Sequence, residues 1–342
     1  MRTGPSANTR RNGREAAPFF GWQGRVETRW WLSSQTATGS GKGMHREMER
    51  RTVETVSPSS GTLRIDAHQH FWDGKVRDRS LAPHRVFSEA HGPGELHTEF
   101  EAAGITGSVL IQSRNAPEEN EAMASLLTDA PFVRGVVYYA PLSDQVAAPA
   151  AVEAAASLPR ACGLRYLVAR DPLAWASAPG HRRIWQLLVE HRLCFEVVPI
   201  TAAQIEAIID LARGMPELRI VVDHLARPPV REGGFEPWAS LVARLAAQDN
   251  VAMKLSVGVD VLESWKRFDA SALRPYVAHA LEHFGEDRLL LASNWPVVLM
   301  RTSYSMAWSG LCAVLDDLLG ASEGSPIFGA AAASWFGLED RQ

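Results

Sequence analysis

Apolar residues in this chain come in short unbroken runs, separated by longer stretches where apolar and polar positions mix. Eight runs of five to seven residues fall at 62–67, 107–112, 133–139, 162–168, 193–198, 218–223, 251–255 and 288–292. Runs this short and nearly all apolar predict strands buried on both faces of a parallel sheet. Helix-length segments are predicted between them at 118–128, 180–191, 202–213, 238–247, 273–284 and 304–319. Alternation of this kind implies βαβ units, whose right-handed crossovers keep the strands parallel. Eight strands in one unbroken alternation predict an α/β fold of the closed (β/α)8 or TIM-barrel kind, rather than an open doubly wound sheet. Neither G-x-G-x-x-G nor G-x-x-x-x-G-K-[S/T] follows any run, which removes the commonest nucleotide-binding folds.

At 342 residues the chain exceeds the roughly 250 such a barrel needs. Residues 1–43 carry seven basic side chains against two acidic ones, are rich in Gly, Ser and Thr, and show no periodicity. The patch Pro18-Phe19-Phe20-Gly21-Trp22 is too short for the apolar core of a secretory signal. Residues 1–60 read as a disordered tail, or as translated sequence upstream of a start at Met44 or Met48, with an organelle transit peptide as the lesser alternative. Residues 61–342 read as one barrel domain.

The net charge of -4 offers no basic footprint for nucleic acid, and no apolar run nears the roughly 18 residues of a membrane span. Cys162, Cys194 and Cys312 form no C-x-x-C pair. That pattern suits a reducing cytoplasm better than a disulfide framework or a thiolate zinc site. The expected partner is a small-molecule substrate, with room left for a homo-oligomer.

In a barrel of this type the chemistry sits where strands finish. The first run finishes in Asp66-Ala67-His68-Gln69-His70-Phe71-Trp72. Two histidines at i and i+2 on an extended chain face the same side, so His68 and His70 can converge on one point. Neutral imidazoles placed so are ligands for zinc or a similar divalent ion. The sixth run finishes in Asp223-His224, before a loop containing Pro228. His224 is placed to face the barrel mouth, or else to cap the next helix; Asp223 either holds the His224 ring or ties down the loop. The eighth run finishes in Ser293-Asn294-Trp295-Pro296. Barrel closure brings Asn294 beside the first-strand histidines, although Asn before Trp-Pro also suits a turn. Arg165, Glu196 and Lys254 are charged groups within apolar runs, and each lines a polar pocket or forms a structural ion pair. Gln112 is a weaker candidate of the same kind.

Together these motifs resemble the amidohydrolase-related branch of the amidohydrolase superfamily, near the barrel hydrolases that include sugar-lactone and 2-pyrone-4,6-dicarboxylate lactonases. The residues that carry the resemblance are 65–72, Gly163-Leu164-Arg165, 222–228, Lys254-Leu255-Ser256 and 288–297, with Ile327-Phe328 near the C-terminal helix. The resemblance implies a distorted barrel of the amidohydrolase type and a water-driven opening of a lactone ring. It implies that His68, His70 and His224 bind one divalent ion, zinc foremost, or bind substrate directly where no metal is used. It also implies that Arg165 orients a carbonyl or carboxylate. No lysine or acid closes the fourth strand, so a two-metal centre is not expected. The family pattern usually carries Asp where this chain has Asn294, and an amide cannot take a proton from water. The base then falls to Glu196 or His224, or Asn294 only positions water, or the chemistry is attenuated.

Lactone hydrolysis is therefore the leading expectation. Non-oxidative decarboxylation of an aromatic or unsaturated acid is the second, and a catalytically attenuated ligand-binding barrel the third. On this reading Asn294→Asp keeps or raises activity. Trp72 and Trp295 are expected at the mouth, or in the core. The charged loop 73–93, with His84 and His91, reads as a lid, as a partner contact or as an ordinary solvated connection.

Overall fold

The computed structural model describes residues 63–74, 84–320, 322 and 324–339. The extension read over residues 1–60 lies outside them, as do residues 75–83 of the loop read as a lid. Each of the eight apolar runs holds a strand: β1 Ile65–Gln69, β2 Gly107–Ile111, β3 Val133–Tyr139, β4 Ala161–Arg165, β5 Cys194–Val197, β6 Ile220–Val222, β7 Val251–Leu255 and β8 Leu289–Leu291. They lie side by side in chain order, every pair parallel. Alternation sorts their side chains. Val109, Ile111, Val221, Ala252 and Leu290 pack in an inner cluster, while Leu110, Val222, Met253, Leu289 and Leu291 pack in an outer one shared with the helices.

Among the described residues ten α-helices accompany the strands: α1 Pro93–Ala103, α2 Pro117–Leu126, α3 Ala148–Ala156, α4 Arg182–Glu190, α5 Ala202–Gly214, α6 Trp238–Ala246, α7 Val259–Ser264, α8 Arg274–Phe284, α9 Tyr304–Leu319 and α10 Ala330–Phe336. The sequence pattern missed α1, α3 and the short helices α7 and α10. In α1 only Pro93, Leu96 and Phe100 are buried, and in α3 alanine dominates both faces, so neither offers hydrophobic contrast. A local signal places the start of α5. Thr201 and Gln204 form a capping box at the start of α5, and Gln204 also donates to the Ala169 and Asp171 carbonyls of the loop after β4.

Helix α10 closes the end of the barrel where strands begin. Ala331, Ala332, Ala333 and Phe336 join the inner cluster, and Arg219, just before β6, donates to the carbonyls of Ser334 and Trp335. Polar chemistry is thereby confined to the opposite end.

The seam between β8 and β1 is sewn partly by a side chain. Asp66 Oδ1 accepts from Ser293 N at 2.9 Å, and Oδ2 accepts from Ser293 Oγ at 2.6 Å and Tyr304 Oη at 3.2 Å. Beyond it, Asn294 N donates to the His68 carbonyl and His70 N to the Trp295 carbonyl. Closure therefore sets Asn294 against the two first-strand histidines, as the topology predicts.

Candidate active site: imidazoles over a buried charge quartet

Two of the strand-end residues sit on strained backbone. His224, Leu225, Ala226 and Arg227 have φ of 53°, 53°, 53° and 54°, and Asn294 has φ 57°. A left-handed conformation costs an L-residue roughly 1–2 kcal/mol. Four in succession turn the chain back immediately after β6 and hold His224 at the mouth instead of letting it cap a following helix. Strain of this kind gathers at functional sites.

The imidazoles meet. His68 Nε2 and His70 Nε2 are 3.1 Å apart, and the rings of His68 and His224 have centroids 4.7 Å apart. His68 is wholly buried, while His70 and His224 keep 5% and 7% of their exposure. Beneath them lies a quartet of charges. Lys254 Nζ is 2.5 Å from Glu196 Oε2 and 3.3 Å from Asp223 Oδ1; Arg165 Nη1 is 3.0 Å from Asp223 Oδ2 and 3.5 Å from Glu196 Oε1. Arg165 Nη2 donates to the Gln112 carbonyl. Two cations balance two carboxylates, which is what a dry interior requires. All three charged groups read from the sequence, Arg165, Glu196 and Lys254, are therefore paired within one network that Asp223 completes.

Asp223 does the work of neither expectation placed on it. Its Oδ1 lies 3.2 Å from His68 Nδ1, so its imidazole partner is His68, not His224. His224 is instead oriented by Ser256, whose Oγ lies 2.8 Å from Nδ1. Ser256 stands two residues after Lys254 on the same strand face, and that spacing was the available signal for it. Trp295 is fully buried core, whereas Trp72 is half-buried and stacks on His70 with centroids 6.0 Å apart.

Burial dominates the titration of the site. It lowers His70 to about 3, helped by the Arg165 charge, and lowers His224 to about 4. Burial and the Lys254 charge hold His68 well below the usual range. All three are neutral at pH 7. The carboxylates diverge: burial and the Asp223 charge raise Glu196 to about 7, while for Asp223 burial is overcome by Lys254 and His68, which hold it well below the usual range. Burial also raises Asp66 to about 6, against the opposing pull of its hydrogen bonds from Ser293.

The donor set suits a divalent ion. His70 Nδ1 is 2.7 Å from the Ile111 carbonyl, which only accepts, so the ring proton sits there and Nε2 carries the lone pair. Asp223 asks the same of His68. Two lone pairs facing each other at 3.1 Å need a positive centre between them. Nitrogens bound about 2.0–2.1 Å from a zinc ion stand roughly 3.1–3.4 Å apart. The other tautomer of His68, with Lys254 Nζ donating to Nδ1 at 3.1 Å, would put a proton in that place. Ligand atoms of His68, Asp223 and His224 also lie within 4.8 Å of one another, but both Asp223 oxygens are already held by Lys254 and Arg165.

An α/β barrel with paired strand-end imidazoles of this kind defines a class, and the chain belongs to the amidohydrolase family, whose model matches residues 65–338. Among curated proteins it is similar to an L-fucono-1,5-lactonase of Burkholderia ambifaria, 31% identical over 288 residues that cover 81% of this chain and 97% of the relative. It is also similar to an L-fucono-1,5-lactonase of Burkholderia multivorans, at 27% identity over 82% of this chain and 98% of the relative. Among solved structures, an amidohydrolase from Burkholderia multivorans with bound zinc superposes with a TM-score of 0.72 at 25% identity, covering 81% of this chain and 99% of its own. The chain is accordingly a hydrolase of this family.

Proposed function

We propose that this protein opens the ring of an uncharged sugar lactone at the barrel mouth. The observation that carries the reading is which polar atoms at the site remain without a hydrogen bond. Gln112 Oε1 and Asn294 Oδ1 are such amide acceptors, beside the carboxylate oxygen Glu196 Oε1, and Arg165 Nε is such a donor, all of them buried. Buried polar atoms in this state call for partners. A polyhydroxy lactone brings hydroxyl donors for the two amide acceptors and a carbonyl oxygen for the guanidinium N–H. A dicarboxylate lactone would instead need surplus cations, and Arg165 and Lys254 are already balanced by Glu196 and Asp223. The names of the curated relatives fall on the same side.

In the reaction water adds to the lactone carbonyl carbon, the ring C–O bond breaks, and the ring oxygen leaves as a hydroxyl, giving a hydroxy acid. With its Nδ1–H donated to Ser256 Oγ, His224 presents the Nε2 lone pair that takes the water proton and returns it to the ring oxygen. Arg165 Nε–H donates to the oxyanion as it forms. Asn294 orients the substrate through Oδ1. Glu196, wholly buried and bound to Lys254, holds the charge balance beneath. His68 and His70 would hold a divalent ion, zinc foremost, which supplies Lewis-acid polarisation and a more acidic water when bound.

Among the described residues no helix is long and apolar enough to cross a membrane. The test is a panel of six-carbon aldonolactones set against 2-pyrone-4,6-dicarboxylate, followed by pH drop. Turnover of the sugar lactones is expected, lost by roughly 100-fold or more in His68→Ala with His70→Ala. Preference for the dicarboxylate, or an unaffected double variant, would overturn the reading.

A further inference from the structure

Far along the chain from the barrel-mouth histidines, one face of α8 gathers a second set of metal-ligating side chains. His279, Glu282 and His283 follow i, i+3, i+4 spacing, which puts them side by side on a helix. The rings of His279 and His283 have centroids 4.4 Å apart at an interplanar angle of 65°. One ligand atom from each of the three residues lies within 4.8 Å of the others. Glu282 and His283 are exposed, and His279 is half-buried against the rings of Phe235 and Trp238.

The tautomer of His279 is set from outside the group. Its Nε2 is 2.9 Å from the Ala239 carbonyl of α6, and a carbonyl only accepts. The ring proton therefore stays on Nε2, and Nδ1 keeps its lone pair. A carbonyl that fixes both tautomer and ring orientation is the support that metal-bound histidines generally have. Packing against Phe235 and Trp238 holds the ring in place before any ion arrives. Glu282 contributes the negative charge that two neutral imidazoles lack.

We propose that this face of α8 binds one borderline divalent transition ion of the zinc, nickel or copper(II) kind, with His279, His283 and Glu282 as ligands and solvent completing the shell. Two imidazoles and one carboxylate select such ions over calcium and magnesium, which prefer oxygen throughout. The site is independent of the lactonase reading and uses none of its residues.

The experiment uses the full chain, with any purification tag removed, carrying His68→Ala and His70→Ala to take away the barrel-mouth ligands. Zinc is titrated by calorimetry, and melting is followed with and without zinc. This background protein is expected to bind one zinc and to melt at a higher temperature with it, since an ion that binds only the folded state stabilises it. Adding His283→Ala, an exposed substitution that leaves the fold intact by circular dichroism, should weaken binding by roughly tenfold or more and abolish the rise in melting temperature. Glu282→Gln should weaken it less, and calcium should not compete. Absence of zinc binding in the background protein, or unchanged affinity after His283→Ala, would overturn the proposal.

Discussion

Asn294 Nδ2 donates to the Val257 carbonyl at 2.8 Å, tying the end of β8 to the end of β7, while Oδ1 of the same amide is buried without a partner. The amide is thus anchored by its donor, and its acceptor is the group left over. A carboxylate cannot copy this arrangement, because one of its oxygens would face the Val257 oxygen.

Asn294→Asp is therefore expected to lower kcat/KM and to destabilise the fold by about 1–3 kcal/mol, the cost of a buried acceptor left facing an acceptor. Sequence alone suggested the opposite, since the family pattern usually carries Asp at this position. Lactone turnover and a urea melt decide between them. A gain in activity with unchanged stability would mean that the Val257 contact does not set the amide.

Lys254 is wholly buried and holds both Glu196 and Asp223. Lys254→Met leaves two carboxylates with Arg165 alone, and breaking a buried pair from one side costs about 3–5 kcal/mol. Adding Glu196→Gln should recover a large part of the loss, because charge balance returns. Chemical denaturation of the three proteins measures this coupling; purely additive effects would show that the quartet does not act as a unit.

The buried histidines set how stability responds to pH. His70 and His224 are lowered by burial to about 3 and about 4, below the 6.5 of the unfolded chain. Between about pH 4 and 6.5 the unfolded state then holds more protons, so stability rises with pH across that window and is complete above it. Asp66, raised by burial to about 6, and Glu196, raised to about 7, act in the opposite direction, two carboxylates of the site against its three imidazoles. Urea midpoints in EDTA should climb from pH 4.5 to 7, and less steeply in His224→Gln. A midpoint that falls with pH would contradict the burial of these rings.

Ala226 sits third in the left-handed turn after β6, at φ 53°. Glycine adopts that conformation freely, and relief of about 1–2 kcal/mol is offset by the roughly 0.4–1 kcal/mol of extra entropy it gives the unfolded chain. Ala226 is also packed in the core, and its buried methyl is worth about 0.8 kcal/mol. Ala226→Gly should therefore change stability by less than about 1 kcal/mol, where the same loss at an unstrained buried alanine would be fully destabilising. A clear loss in a thermal melt would argue against the left-handed turn.

The strands, their order, and the polar groups that end them were legible in the sequence, because buried parallel strands need unbroken apolar runs and any charge ending such a run stands out. His68, His70, Arg165, Glu196, His224 and Asn294 were all found in this way. Helices α1, α3, α7 and α10 were not, since a helix with few apolar positions, built largely of alanine or only six residues long has no amphipathic signature. What only the tertiary structure decided is which polar groups are already committed to one another. Asp223 serves His68 instead of its neighbour His224, Ser256 orients His224, Lys254 holds Glu196 and Asp223, and Val257 fixes Asn294. Those pairings join strands tens to hundreds of residues apart, and hydrogen-bond partners depend on distances of a few ångströms that residue order does not specify. The positions of the chemistry were thus local information, and the division of labour among them was not.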